Sequence, residues 1–223
     1  MIKAVIFDMF ETLITHFESP LYFGEQMALD AGIPEKDFAA VWDPTGEDRT
    51  LGKMTFEEAL ERTLRENGRY TRELFEEIRS KRIETKKECF RRVHPDVMPL
   101  LSAIKVRGRS IGLISNCFSE EVPVIKESVL YPFFDAACLS YEEGIMKPDR
   151  ETFTRCLDRL GAEPHECIYV GDGGAYELES AREIGMPTYQ AVWYLHDYLD
   201  QVCGRKDDFI QLESPLDLLD YIQ

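Results

Sequence analysis

An acid, a hydroxyl, an ammonium and a second acid recur along this chain in an order that suits chemistry on an anionic group: Asp8, Ser115, Lys147 and Asp172. Two carboxylates at one site can hold a hard divalent cation, and one of them can also serve as a nucleophile. A lysine beside them balances negative charge, and a hydroxyl followed by an amide, Ser115-Asn116, offers hydrogen bonds to anionic oxygens. Asp172 stands among Gly171, Gly173 and Gly174, where a backbone without side chains approaches a ligand closely. Singly, each has an ordinary explanation: Asp8 as a helix cap, Ser115 as a turn residue, Lys147 as solvated surface. What joins them is that each stands at the end of a strand pattern or the start of a helix pattern.

Those patterns define the scaffold. Residues 2–7 are β-branched and apolar and stop at Asp8, as a strand buried on both faces of a parallel sheet does. Similar runs occupy 110–115, 136–139, 167–170 and 188–192, and a shorter one at 209–212 precedes a closing helix at about 216–222. Strands alternating with helical patterns imply an α/β fold around a doubly wound parallel sheet, whose ligands bind beyond the carboxyl ends of the strands.

From about residue 15 to residue 92 helical spacing replaces strands. Ser19-Pro20 is expected to open a helix that Gly32 ends, a second covers about 36–42, a third runs from Thr55 to Asn67-Gly68, and a fourth from Thr71 past Cys89. Residues 15–92 therefore read as a helical cap inserted into an α/β core formed by 1–14 and 93–223.

Composition limits the partners. Twenty-six Lys plus Arg against 42 Asp plus Glu give a net charge of −16, which repels nucleic-acid phosphates and anionic lipid surfaces. No apolar run reaches the roughly 18–20 residues that span a bilayer. The opening residues, broken by Asp8, lack the layout of a secretory signal, and the expected location is the cytoplasm. The six cysteines form no C-x-x-C pair and no cluster, so neither a disulfide framework nor a zinc site is expected.

With these stretches in view, Val5-Ile6-Phe7-Asp8-Met9-Phe10-Glu11-Thr12-Leu13, Ile111-Gly112-Leu113-Ile114-Ser115-Asn116, Lys147-Pro148-Asp149 and Val170-Gly171-Asp172-Gly173-Gly174-Ala175-Tyr176-Glu177, the chain resembles the haloacid dehalogenase-like hydrolases. The resemblance implies a Rossmann-like core with strand order 5-4-1-2-3 and a helical cap after the first motif. It implies that Asp8 is the nucleophile, that Ser115, Asn116 and Lys147 bind the transferred group, and that Mg²⁺ is held by Asp8, the Phe10 carbonyl and Asp172. Glu177 falls where many members carry an accessory acid. The implied substrate is a small phosphate monoester, split through an aspartyl-phosphate intermediate.

One position departs from the family's phosphatase pattern: where a second aspartate usually protonates the leaving group, this chain has Phe10. A proton donor of that kind contributes about 10²- to 10⁴-fold. Glu11, in an extended segment, is expected to face away, whereas His16 is placed to substitute. An aromatic residue here also resembles metal-independent 2-haloacid dehalogenases, in which Arg49 or Lys53, otherwise read as surface charges, would anchor the substrate carboxylate. A third reading is a silent descendant that binds a ligand or a protein partner. Tyr22, Phe23, Trp42 and Phe56 are the aromatic residues the cap offers to a substrate pocket, and most of them read as helix-packing core.

Overall fold

The computed structural model describes residues 1–196 and 203–222. In chain order, β1 (Ala4–Phe7) is followed by the helices α1 (Gly24–Ala31), α2 (Glu35–Trp42), α3 (Gly46–Thr50), α4 (Phe56–Glu66), α5 (Arg72–Arg91) and α6 (Val97–Val106). Then come β2 (Ser110–Ser115), α7 (Glu121–Glu127), β3 (Ala136–Leu139), α8 (Ser140–Glu143) and α9 (Arg150–Leu160). The chain continues through β4 (Cys167–Gly171), α10 (Glu177–Glu183), β5 (Thr188–Ala191) and β6 (Ile210–Leu212).

All strand pairs are parallel, in the order β3-β2-β1-β4-β5-β6. This is the expected five-strand order with β6 added beyond β5. Successive residues of β1 point to opposite sides, and both sides are covered: Val5 and Phe7 enter one apolar cluster, Ala4 and Ile6 the other. Register then fixes the site. Phe7 is opposite Leu113 on β2 and Val170 on β4, so Asp8, Ser115 and Asp172 all emerge near the same sheet edge.

The helical stretch between β1 and α6 has an apolar core of its own, built around Phe38, Trp42, Phe56 and Leu60. Its boundaries follow from capping chemistry. Thr55 accepts the Glu58 N–H while the Glu58 carboxylate accepts the Thr55 N–H, a capping box that starts α4. Gly32, at φ 62°, ends α1 in a left-handed turn.

Local corrections are few. Ser19-Pro20 does not open a helix: the Ser19 hydroxyl donates to the His16 carbonyl at 3.0 Å, and α1 begins only at Gly24. The short α3 had no periodicity long enough to be read. The closing element is a 3-10 helix, Pro215–Asp220, started by Ser214. All six cysteines are free, and five are buried.

Candidate active site

Asp8 leaves β1 with its N–H bonded to the Val170 carbonyl at 2.9 Å, which aims its side chain past the strand ends. There the Lys147 ammonium lies 2.6 Å from the Asp8 carboxylate, and both side chains are almost shut off from solvent. One oxygen each of Asp8, Asp172 and Glu177 falls within 4.8 Å of the others. Burial, only partly offset by Lys147, pushes the Asp8 carboxyl up to about 6, and Glu177 adds to the rise. Burial and the charges of Glu177 and Asp8 hold Asp172 well above the usual carboxylate range. Burial opposes charge on Lys147 too, yet Asp8 and Glu177 keep its ammonium above its ordinary value.

Neighbouring amides and carboxylates hold these groups in place. Asn116 grips the main chain of Lys147, accepting its N–H at 2.8 Å and donating to its carbonyl at 3.1 Å. Glu177, fully buried, accepts the N–H groups of Gly173 and Ala175 at 2.6 and 2.7 Å, so it ties down the loop that carries Asp172. Gly173 sits at φ 98°, a conformation open to glycine and strained for other residues. Gln190 at the end of β5 donates to the Asp172 carbonyl at 2.8 Å and to the Gly204 carbonyl at 2.9 Å.

A cavity of about 320 Å³ opens at this cluster, and its wall includes Asp8, Asp172 and Lys147 together with Phe10, Phe17 and Phe23. Asn116 reaches the wall; Ser115 does not, being buried behind it with its hydroxyl 3.4 Å from the Asn116 carbonyl.

The donor set suits a hard cation, because every candidate ligand is an oxygen and the acids crowd more negative charge together than Lys147 balances. Asp8, Asp172 and Glu177 stand close enough together to fit a Mg²⁺ ion; Glu177 also accepts two backbone N–H groups, and the resemblance implies Asp8 and Asp172 as the ligands, with the Phe10 carbonyl as the third oxygen.

A model of the haloacid dehalogenase-like hydrolases matches residues 2–185. The chain belongs to that family. This haloacid dehalogenase-like hydrolase is 26% identical over 140 residues to a glyceraldehyde 3-phosphate phosphatase of Methanopyrus kandleri, a match spanning 61% of this chain and 59% of that enzyme. It is 24% identical over 192 residues to a phosphoglycolate phosphatase of Aquifex aeolicus, covering 86% and 85% of the two chains. In fold it is similar to a family enzyme of Bacteroides thetaiotaomicron crystallised with magnesium and inorganic phosphate, with TM-score 0.64, 17% identity and 89% and 97% coverage. No helix among the described residues is long and apolar enough to cross a membrane.

Around Phe10 the hydrolase differs from the sequence expectation. Glu11 is not extended: at φ 57° it turns its carboxylate back onto the Thr15 hydroxyl and the His16 N–H. His16 stacks on Phe10, with ring centroids 4.7 Å apart. Its Nδ1–H donates to Glu11 at 3.2 Å and its Nε2 accepts from the Lys86 ammonium at 2.7 Å. Burial and the Lys86 charge hold the imidazole well below its ordinary value, hence neutral. Both nitrogens are therefore occupied, and His16 has no N–H left for a leaving group.

Other expectations also shift. Of the four aromatics between residues 15 and 92, Phe23 lines the cavity, Tyr22 bonds Asp30, and Trp42 and Phe56 pack in the helical core, as the sequence reads most of the four. Lys53 is an exposed partner of Asp48. Arg49 is neither surface nor cavity: it is buried, bonded to Thr45, with its guanidinium 3.9 Å from the Trp42 ring centroid and 4.7 Å from that of Phe118. Sequence reasoning missed Gln190, whose signal was an amide inside an otherwise apolar strand, and missed a buried ionic seam. In that seam Arg82 meets Glu120 at 3.0 Å and Lys86 meets Glu121 at 2.6 Å, joining α5 to the start of α7.

Proposed function

We propose that this hydrolase is a Mg²⁺-dependent phosphatase of small phosphate monoesters, with residues 15–92 acting as its cap. The observation that carries the reading is the buried Asp8–Lys147 pair beside Asp172 at the wall of one cavity. The phosphatases among its relatives, and magnesium with phosphate in a protein of the same fold, support it.

A Mg²⁺ ion held by Asp8, Asp172 and the Phe10 carbonyl would offset the negative charge of the phosphoryl oxygens. Asp8 attacks phosphorus through a carboxylate oxygen and forms an acyl phosphate, dividing one hard displacement into two easier ones. Lys147 keeps Asp8 ionised and stabilises the charge that develops on the transferred group. Asn116 fixes the Lys147 backbone, and Glu177 fixes the loop of Asp172. Phe17 and Phe23 limit the water around the reacting atoms.

The test is phosphate release from a panel of monoesters with Mg²⁺ or with EDTA, by wild type and Asp8→Asn. Release that needs both the metal and Asp8 supports the reading, and release that survives EDTA contradicts it. Phe10 favours a second reading, a metal-independent 2-haloacid dehalogenase, since halide departs without a proton. Against it, Arg49 and Lys53 stand away from the cavity wall. Chloride or bromide release from small 2-haloacids decides that reading.

A further inference from the structure

Resting on the phosphatase reading, we propose that the leaving group of the substrate is an uncharged aromatic alcohol, so that the enzyme selects aryl phosphates over alkyl phosphates and over substrates with a second anionic group.

Two independent observations lead there. The first concerns the proton. An alkoxide is too basic to leave unprotonated, and the position from which the resemblance implies a proton donor is occupied by Phe10, which has none to give. The neighbouring candidates are engaged elsewhere: Glu11 is folded back onto Thr15 and His16, and His16 spends one nitrogen on Glu11 and the other on Lys86. A phenoxide leaves without that help.

The second concerns the wall that the leaving group meets. Phe10, His16 and Phe23 form a continuous aromatic surface, with His16 stacked on Phe10 and 5.4 Å edge-on from Phe23. Phe17 and Leu195 extend the apolar lining. Among the described residues of the wall Lys147 is the one Lys or Arg, and it is committed to Asp8. Cations around the wall are paired with carboxylates of their own: Arg82 and Lys86 with Glu120 and Glu121 in the buried seam, and Lys206, close to Gly173, with Glu179 at 2.6 Å. A substrate carboxylate or second phosphate would therefore lose its water without gaining a partner, whereas a flat ring gains stacking and apolar contact.

The chemistry balances without a proton donor. As the Asp8 oxygen bonds to phosphorus, the P–O bond to the aryl group breaks and its electron pair departs on the aryl oxygen, which takes a proton from bulk water. A water molecule then attacks phosphorus and gives its proton to the departing phosphate. The P–Oδ electron pair returns to Asp8.

The experiment measures kcat/KM with Mg²⁺ for substituted phenyl phosphates of graded phenol acidity, for an alkyl phosphate, for phosphoglycolate and for pyrophosphate. The expected result is a steep fall as the leaving group becomes more basic, with the alkyl ester, phosphoglycolate and pyrophosphate each about 10²-fold or more below the best aryl ester. Phe10→Asp is expected to flatten the dependence. Phe23→Lys, which puts a cation at a partly exposed wall position, is expected to raise phosphoglycolate relative to phenyl phosphate. Equal rates for alkyl and aryl esters, or a preference for phosphoglycolate or pyrophosphate, overturn the inference and leave the phosphatase reading standing. No phosphate from any ester overturns both.

Discussion

Lys147 and Asp8 form a 2.6 Å ion pair at the floor of the cavity, and neither side chain has more than a trace of contact with solvent. Lys147→Gln removes the cation paired with a carboxyl group already raised to about 6. Asp8 must be ionised to attack, so the ascending limb of the pH–rate profile is expected to move to higher pH. At neutral pH kcat/KM should fall by about 10²-fold or more. A profile that keeps its wild-type position contradicts the pairing.

Asn116 acts on Lys147 through two main-chain hydrogen bonds, at 2.8 and 3.1 Å. Asn116→Ala removes both, at a cost of about 1–3 kcal/mol in stability. Because the ammonium loses its fixed position, kcat should fall more than KM rises, and Asn116→Asp, which keeps the acceptor, should recover part of the loss. Urea denaturation and steady-state kinetics measure the two effects.

Metal affinity should depend on pH in a definite direction. Asp8 and Asp172 both hold protons above the usual carboxylate range, and a cation must displace them. The apparent Kd for Mg²⁺ is therefore expected to tighten from pH 5 to pH 7, with protons released to the buffer, as calorimetry in two buffers of different ionisation enthalpy would record. The metal-free protein should show the complementary trend. Between about pH 4 and 6 its native Asp8 keeps a proton that the unfolded chain has lost, so stability falls as pH rises through that window. Asp8→Asn should remove that part of the slope.

The seam between α5 and α7 makes a separate prediction about folding. Lys86 and Glu121 are both buried and 2.6 Å apart. Lys86→Met leaves the Glu121 carboxylate without its nearest cation and is expected to destabilise the protein by about 3–5 kcal/mol. The double variant Lys86→Met, Glu121→Gln should recover much of that loss. If the single variant melts like wild type, the seam does not hold the two elements together.

The legible parts of this molecule were those governed by local chemistry. Strand ends at Asp8, Ser115 and Asp172 could be read because an apolar run stops abruptly at a polar residue. The helices after Thr55 and Thr71 could be read because their capping hydroxyls lie a few residues from the groups they serve. What stayed hidden depends on contacts between distant residues. Lys86 and Arg82 look like the solvated lysines and arginines around them until α5 is packed against α7. His16 looked free to donate a proton because nothing in the sequence brings Lys86, 70 residues away, onto its Nε2. Ser115 and Asn116 were read together at the end of one strand, and only packing separates them: Asn116 lines the cavity, whereas Ser115 is buried.

The central claim is that Asp8 becomes covalently phosphorylated during turnover. An acid quench within a single turnover of an aryl phosphate in Mg²⁺, followed by mass analysis of the peptide containing residue 8, tests it directly. The expected result is a transient gain of one phosphoryl group on Asp8, absent with EDTA and absent in Asp8→Asn. Phosphate release at full rate with no adduct at any quench time, or with Asp8→Asn still active, would contradict it.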